Sequence, residues 1–149
     1  MVMPSPLGPL GIAEEDGFIT RVDFLSAQSA CGAADSPLLR RAVRELNEYF
    51  AGVRKTFDLP LRPKGTPFRL KVWRALGQIP YGQTCSYAEL ARRAGNIKAC
   101  RAVGGANHHN PIPVIIPCHR VIGADGSLTG YGGGLDKKQF LLALEQRFK

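Results

Sequence analysis

The chain has 149 residues, enough for one domain or for two small lobes sharing a core. Its 44% hydrophobic and 21% charged content suits an ordinary globular protein. The opening MVMPSPLGPLG lacks the basic-then-apolar layout of a secretion signal, and no stretch approaches the ~18 unbroken apolar residues of a membrane span, so a cytoplasmic protein is expected. The formal net charge of +8, with a pI near 9.7, favours a polyanionic partner, nucleic acid first.

In chain order, LGPLGIAEEDGFITRVDFL predicts two short strands around the turn EEDG, with Ile19, Val22 and Phe24 as core candidates. SAQSACGAADSP is small and polar and reads as a loop. The next segment, SPLLRRAVRELNEYFAG, predicts a helix. Ser36 caps it, Pro37 opens it, Gly52 stops it, and Leu39, Val43, Leu46 and Phe50 share one face. KTFDLPL predicts a third strand. PLRPKGTP, with three prolines and a glycine, reads as a linker. It divides a first lobe, residues 1–60, from a second, residues 61–149.

Thr66 and Pro67 open the helix FRLKVWRALGQI, with Phe68, Val72, Trp73 and Leu76 on its apolar stripe and Trp73 assigned to the core. Ser86 caps a further helix, with Glu89 as its capping-box partner, Leu90 and Ala91 facing inward and Gly95 at the end. NIKACRAVGGANHH starts another helix after a tight turn, and the two form a helix-turn-helix pattern. The second of the pair carries Arg101 followed by Ala102, Val103, Gly104, Gly105 and Ala106. Such small residues reach no base edge in a wide major groove. They let a backbone approach another surface closely, either a narrow minor groove or a neighbouring helix; composition alone favours the helix. ADGS is a turn, TGYGGG a mobile loop, and Asp136 caps a closing helix with Phe140, Leu141 and Leu144 inward. The fold class expected is α+β: a small sheet-and-helix lobe, then a mostly helical lobe holding the helix-turn-helix.

The four cysteines, Cys31, Cys85, Cys100 and Cys118, show no disulfide spacing and are expected to be reduced. Cys31 reads as an exposed loop thiol, and Cys85 and Cys100 as small buried hydrophobes. Cys118 differs: IPCHRVIG places it between a proline and a His-Arg pair. A thiolate is a nucleophile, an imidazole can take its proton, and a carboxylate can orient the imidazole. Adjacent side chains on an extended chain point to opposite faces, so either the chain turns at Cys118–His119 or a water relays the proton. PIPVIIP favours an extended approach, a strand ending abruptly at the thiol. Glu145 is the candidate carboxylate, with Asp136 and Glu89 in competition. The spacing of Cys100, His108, His109, Cys118 and His119 does not suit a structural zinc site, and no phosphate-binding glycine motif is present, so neither metal nor cofactor is expected.

NPIPVIIPCHRVIG, together with SYAELARRAG, ACRAVGGA and LTGYGGGLDKKQFLLALE, resembles the O6-alkylguanine-DNA alkyltransferases, also called methylated-DNA–protein-cysteine methyltransferases. The resemblance spans nearly all of residues 66–149. It implies irreversible, single-turnover transfer of an alkyl group from O6-alkylguanine, or O4-alkylthymine, in double-stranded DNA to Cys118. In that reading His119 accepts the thiol proton through a water, Glu145 orients His119, Asn110 braces the active-site turn and Tyr87 hydrogen-bonds the leaving purine. Pro113, Val121, Tyr131 and Gly132 are implied around the base and its alkyl group. The DNA contacts implied are Arg101, Ala102, Gly104, Gly105, Asn96 and Ala88, with Arg101 entering the minor groove to fill the place of a flipped base. The acting form implied is a monomer.

Three features depart from the family. Additional zinc-ligand Cys and His residues are not evident in the first lobe, His108 and His109 stand where many relatives carry an arginine, and Gly130 precedes Tyr131 where some carry asparagine. The alternative class is a non-catalytic, alkyltransferase-like lesion sensor. Those relatives commonly carry tryptophan in place of the cysteine, and Cys118 argues against that reading.

Overall fold

The computed structural model describes residues 1–29, 36–128 and 130–149. Cys31, and half of the loop expected around it, lie outside the described residues. The chain divides into two compact units, Met1–Lys64 and Gly65–Lys149.

The first unit is a three-stranded antiparallel sheet with one helix. Strands β1 (Val2–Met3), β2 (Leu10–Glu15) and β3 (Phe18–Phe24) lie in that order. The β2–β3 hairpin turns on Asp16 and Gly17, both with positive φ (51° and 81°), the pairing that matches strand twist in a two-residue turn. Leu10, Ile12, Ile19 and Val22 are buried, while Phe24 is only partly so. Helix α1 (Pro37–Phe50) packs on β2 and β3 and starts as expected, with Ser36 Oγ accepting the Leu39 N–H at 3.1 Å. Its buried face is Leu39, Ala42, Leu46 and Tyr49; Val43 and Phe50 lie at its margin. The tyrosine wins over the phenylalanine because the 39–42–46–49 spacing holds one stripe against the sheet.

KTFDLPL is not a strand. It makes one isolated parallel bridge, Ile19 to Leu61, in which the Ile19 N–H bonds Pro60 O at 2.8 Å and the Arg62 N–H bonds Ile19 O at 2.9 Å. Pro60 has no N–H to extend the ladder, and the Asp58 N–H is taken by Glu45 Oε1 at 2.8 Å. The third strand is instead β1, two residues long and below what alternation can signal.

The second unit comprises α2 (Pro67–Leu76), β4 (Cys85–Ser86), α3 (Tyr87–Arg93), α4 (Cys100–His108), a 3₁₀ turn (Cys118–Arg120), β5 (Val121–Ile122) and α5 (Leu135–Arg147). Thr66 Oγ1 caps α2 through the Arg69 N–H at 3.2 Å, and Ser86 Oγ caps α3 through the Glu89 N–H at 3.1 Å. The Glu89 carboxylate goes forward to Arg92 and Arg93. Helices α2, α3 and α4 pack on one another. Trp73 is buried at their junction and donates its indole N–H to Ala106 O at 2.8 Å. Gly95, at φ +90°, lets the chain leave α3 for the turn into α4. Strands β4 and β5 pair in parallel, Cys85 opposite Val121.

Three local expectations change. Cys85 is buried as expected, but Cys100 is exposed in the first turn of α4. Asp136 does not cap α5: Gly134, at φ +106°, is the cap residue, and Asp136 sits inside the first turn. The inward face of α5 carries Lys138, Leu141, Leu144 and Glu145, whereas Phe140 is 38% exposed. The charged ends of Lys138 and Glu145 find partners inside, which frees that face from being wholly apolar.

Candidate active site

The segment expected to be extended before Cys118 is a tight series of turns. Residues 112–121 are all buried, so their backbone polar groups need internal partners. Asn110 supplies two, its Nδ2 donating to Ile116 O at 2.8 Å and its Oδ1 accepting the Ile112 N–H at 3.0 Å. Val114 takes φ +72° inside this clamp, a costly conformation for a β-branched residue that only a tightly held loop sustains. Pro117 has φ −81° and ψ 63°, and the Cys118 N–H bonds back to Ile116 O at 2.8 Å. That is an inverse γ-turn, and the proline ring fixes its φ. The proline before the cysteine therefore serves to fold the chain back and aim the thiol.

The 3₁₀ turn follows at once. With three residues per turn, Cys118, His119 and Arg120 diverge by about 120°, so the thiol and imidazole are not forced onto opposite faces. His119 Nε2 lies 2.7 Å from Glu145 Oε2. Arg120 grips the same carboxylate with Nε on Oε1 at 2.9 Å and Nη2 on Oε2 at 3.0 Å, and its Nη1 donates to Ile79 O at 2.6 Å. The Gly82 N–H donates to Glu145 Oε1 at 3.1 Å. Of the three candidate carboxylates, Glu145 is the one beside His119.

Burial alone would push the Glu145 carboxyl up, but hydrogen bonds from His119 and Arg120 outweigh it and bring it down to about 2. It is therefore ionised throughout the neutral range. The imidazole hydrogen on Nε2 points at that anion, leaving Nδ1 as the lone-pair nitrogen. His119 Nδ1 is buried and has no hydrogen-bond partner among the described residues. Burial lowers the His119 pKa, against the pull of Glu145, so the ring is a neutral proton acceptor.

The Cys118 thiol is pushed up to about 11, chiefly by burial, with hydrogen bonds from Asn110 and Tyr131 and the field of Lys138 pulling the other way. At pH 7 the thiol is held in its protonated form. The proton therefore has to leave during a reaction, not before it. This protects a buried nucleophile from stray electrophiles.

Pro113 and Val121 are buried, and so is Tyr131, in the loop expected to be mobile. Gly132 is exposed, and a Cβ there would stand 3.3 Å from His108 O. Tyr87 begins α3, half-buried, its ring 3.9 Å from where a Gly104 Cβ would be. Helix α4 is fastened to the nucleophile by Asn107, whose Nδ2 lies 3.4 Å from Cys118 O. On the outer surface of α3 and α4, Ala88, Arg92, Arg93, Asn96, Lys98, Arg101 and Ala102 are exposed, with Gly104 and Gly105 half-buried.

The sequence reading missed Arg120, Asn107 and Lys138. Lys138 carried a signal: it lies seven residues before Glu145 and three before Leu141, on one helical face. Assigning Phe140 to the interior concealed it. Among the described residues no cluster of three or more His, Cys, Asp or Glu could hold a metal ion.

Residues 67–147 match the family described as 6-O-methylguanine DNA methyltransferase, DNA binding domain, and residues 1–63 match its ribonuclease-like domain. The chain belongs to the methylated-DNA–protein-cysteine methyltransferase family. Methyltransferases of that name from Mycolicibacterium paratuberculosis and Methanosarcina acetivorans are 52% and 49% identical, over 96% and 97% of this chain and 89% and 96% of theirs. The crystal structure of Mycobacterium tuberculosis OGT in complex with DNA has a TM-score of 0.89 at 48% identity, covering 99% of this chain and 92% of that one. In this methyltransferase family setting, the buried Cys-His-Glu series is the feature with chemistry to perform.

Proposed function

We propose that the chain repairs alkylated DNA by direct reversal, moving an alkyl group from O6 of guanine, or O4 of thymine, onto Cys118. The observation that carries this reading is the buried thiol followed within one 3₁₀ turn by a neutral imidazole whose far nitrogen is held by an ionised carboxylate. A thiol ordinarily protonated at neutral pH needs such a base at the moment of attack.

The chemistry proceeds as one in-line displacement. The Cys118 proton passes through a water to His119 Nδ1, and Glu145 steadies the imidazolium. Sulfur forms a bond to the alkyl carbon as the C–O6 bond breaks, and that electron pair stays with guanine. The Tyr87 hydroxyl offsets the charge that develops on the purine by a hydrogen bond. Asn110 holds the turn that aims the sulfur, Pro113 and Val121 line the alkyl pocket, and Tyr131 with Gly132 covers the base. The product is a thioether, which water does not cleave, so each molecule acts once and needs no cofactor.

A buried thiol meets a base only if the base leaves the stack. The partner is double-stranded DNA, approached from the minor groove by α4, with Arg101 filling the gap and Ala88, Asn96, Ala102, Gly104 and Gly105 against the backbone. Support comes from the glycines: a Cβ on Gly105 would meet nothing within 4 Å, and one on Gly104 only ordinary contact. Packing inside the chain does not demand glycine at either place, which favours an outside surface as the one they accommodate. The exposed cations beside them supply phosphate affinity without sequence preference. The protein acts as a monomer in the cytoplasm; among the described residues no helix is long and apolar enough to cross a membrane.

The test is stoichiometry. Duplex oligonucleotide carrying O6-methylguanine, in excess over protein, should lose one lesion per molecule and no more. Continued turnover, or no loss at all, contradicts the proposal.

A further inference from the structure

Asn107 is buried near the end of α4, and the reaction as written above gives it nothing to do. Its Nδ2 lies 3.4 Å from Cys118 O, the carbonyl of the peptide that joins the nucleophile to His119. The side-chain amide therefore stands beside the link between thiol and imidazole. That contact also decides which way round the amide sits: the nitrogen faces a carbonyl, and Oδ1 is turned elsewhere. Oδ1 is buried and accepts no hydrogen bond from the described residues, and His119 Nδ1 stands in the same condition. Buried acceptors left without a donor are costly. Neither atom can satisfy the other, since both accept. A single donor with two hydrogens can satisfy both.

We propose that Asn107 is a positioning residue for the proton transfer: its Oδ1 holds one hydrogen of the relay water, leaving the other hydrogen for His119 Nδ1 and a lone pair for the Cys118 S–H. A buried water makes about three hydrogen bonds, and the thiol, the imidazole and the amide supply three. Held by the thiol and imidazole alone, the water can turn a hydrogen toward sulfur and lose its capacity to accept there. With Oδ1 engaged, both hydrogens are committed and a lone pair faces the thiol. During attack the S–H proton moves to the water oxygen while the water's own hydrogen moves to Nδ1. The water ends as water, still bonded to Asn107, and the electron pair of the broken C–O bond stays with guanine.

The charged and titratable groups packed around the pair do not take this place. Arg120 and Lys138 carry donors and no acceptor. Arg120 bonds Glu145 and Ile79 O, and Lys138 donates to Val121 O. Glu145 binds the opposite nitrogen of the His119 ring. Asn110 and Tyr131 hydrogen-bond the thiol itself, and the Tyr81 ring lies against the Arg120 guanidinium, 5.7 Å from ring centre to cation. His108 and His109, next along the chain from Asn107, are exposed.

The inference rests on Cys118 being the acceptor, so labelling of the wild type comes first: reaction with free O6-benzylguanine, followed by the mass of the Cys118 peptide from pH 6 to pH 10. No labelling defeats the proposed function. A high-resolution crystal structure of the wild-type protein then tests Asn107 without any variant. One ordered water should lie about 2.6–3.2 Å from both Asn107 Oδ1 and His119 Nδ1. Oδ1 bonded to a different group, or a water on Nδ1 that does not reach Oδ1, overturns this inference and leaves the proposed function standing. Asn107→Leu keeps the side-chain volume and removes the acceptor. It should slow labelling about tenfold at pH 7, part of the ~10²–10⁴-fold that a general base contributes. The deficit should shrink to within about threefold at pH 10, because thiolate formed in bulk solution, about tenfold more per pH unit, needs no relay. Loss of the bond to Cys118 O alone would slow labelling equally at every pH, so an equal loss, or no loss, also overturns the inference. Trp73, whose indole bonds Ala106 O, reports by fluorescence that α4 is seated in the variant; should the variant fail to fold, the wild-type crystal decides.

Discussion

Replacing Glu145 with glutamine removes one charge from the most concentrated buried network in the second unit. The carboxylate is 1% exposed and accepts from His119, Arg120 and the Gly82 N–H. Its pKa falls from an ordinary 4.5 to about 2 in the folded protein. Because the folded value is the lower one, the stabilisation is complete above pH 4.5 and is lost as the pH falls toward 2. A shift of that size corresponds to about 3 kcal/mol at neutral pH. Burial lowers the His119 pKa too, so its protonation in the unfolded chain below pH 6.5 erodes stability in the same direction. Glu145→Gln removes the carboxyl's share of the acid sensitivity. It also strands the Arg120 guanidinium without its counter-charge, at a cost of about 3–5 kcal/mol. Urea unfolding at a series of pH values reads this cleanly, since Trp73 is the sole tryptophan and sits in the second unit. A variant with wild-type stability at pH 7 and an unchanged slope between pH 4.5 and 2 would refute the reasoning.

Cys118→Ala should bind duplex DNA as the wild type does in a gel-shift assay while removing no lesion; loss of binding as well would make the thiol structural. Arg101→Ala should slow repair of duplex by tenfold or more yet leave reaction with free O6-benzylguanine near the wild-type rate, and equal slowing would remove its part in base extrusion. Ser86→Ala removes the oxygen that accepts the Glu89 N–H and should cost about 1 kcal/mol in the same urea titration.

The parts of this fold legible in the sequence are those governed by local chemistry. Ser36, Thr66 and Ser86 each cap the helix expected of them, because a hydroxyl before a helical run has one good partner, the N–H three residues on. The turn at Asp16–Gly17 follows from backbone conformations glycine and aspartate tolerate. Cys118 stood out by its neighbours, and Glu145 was one of three candidate carboxylates until the structure set it against His119. What escaped notice depends on distant partners. Lys138 and Phe140 exchange inside for outside because Val121 O lies across from one face of α5; the spacing of Lys138, Leu141 and Glu145 marks that face but not the carbonyl that accepts the ammonium. The extended run expected before Cys118 instead coils around Asn110, whose two hydrogen bonds span residues 110–116. Two-residue strands such as β1 and β5 exist only through their pairing.

The account depends on which atom ends up carrying the alkyl group. Protein incubated with a duplex bearing O6-methylguanine, then digested and weighed peptide by peptide, should show a single added methyl on the fragment containing Cys118. A methyl on the fragment containing Cys85 or Cys100, with the Cys118 peptide unchanged, would contradict it.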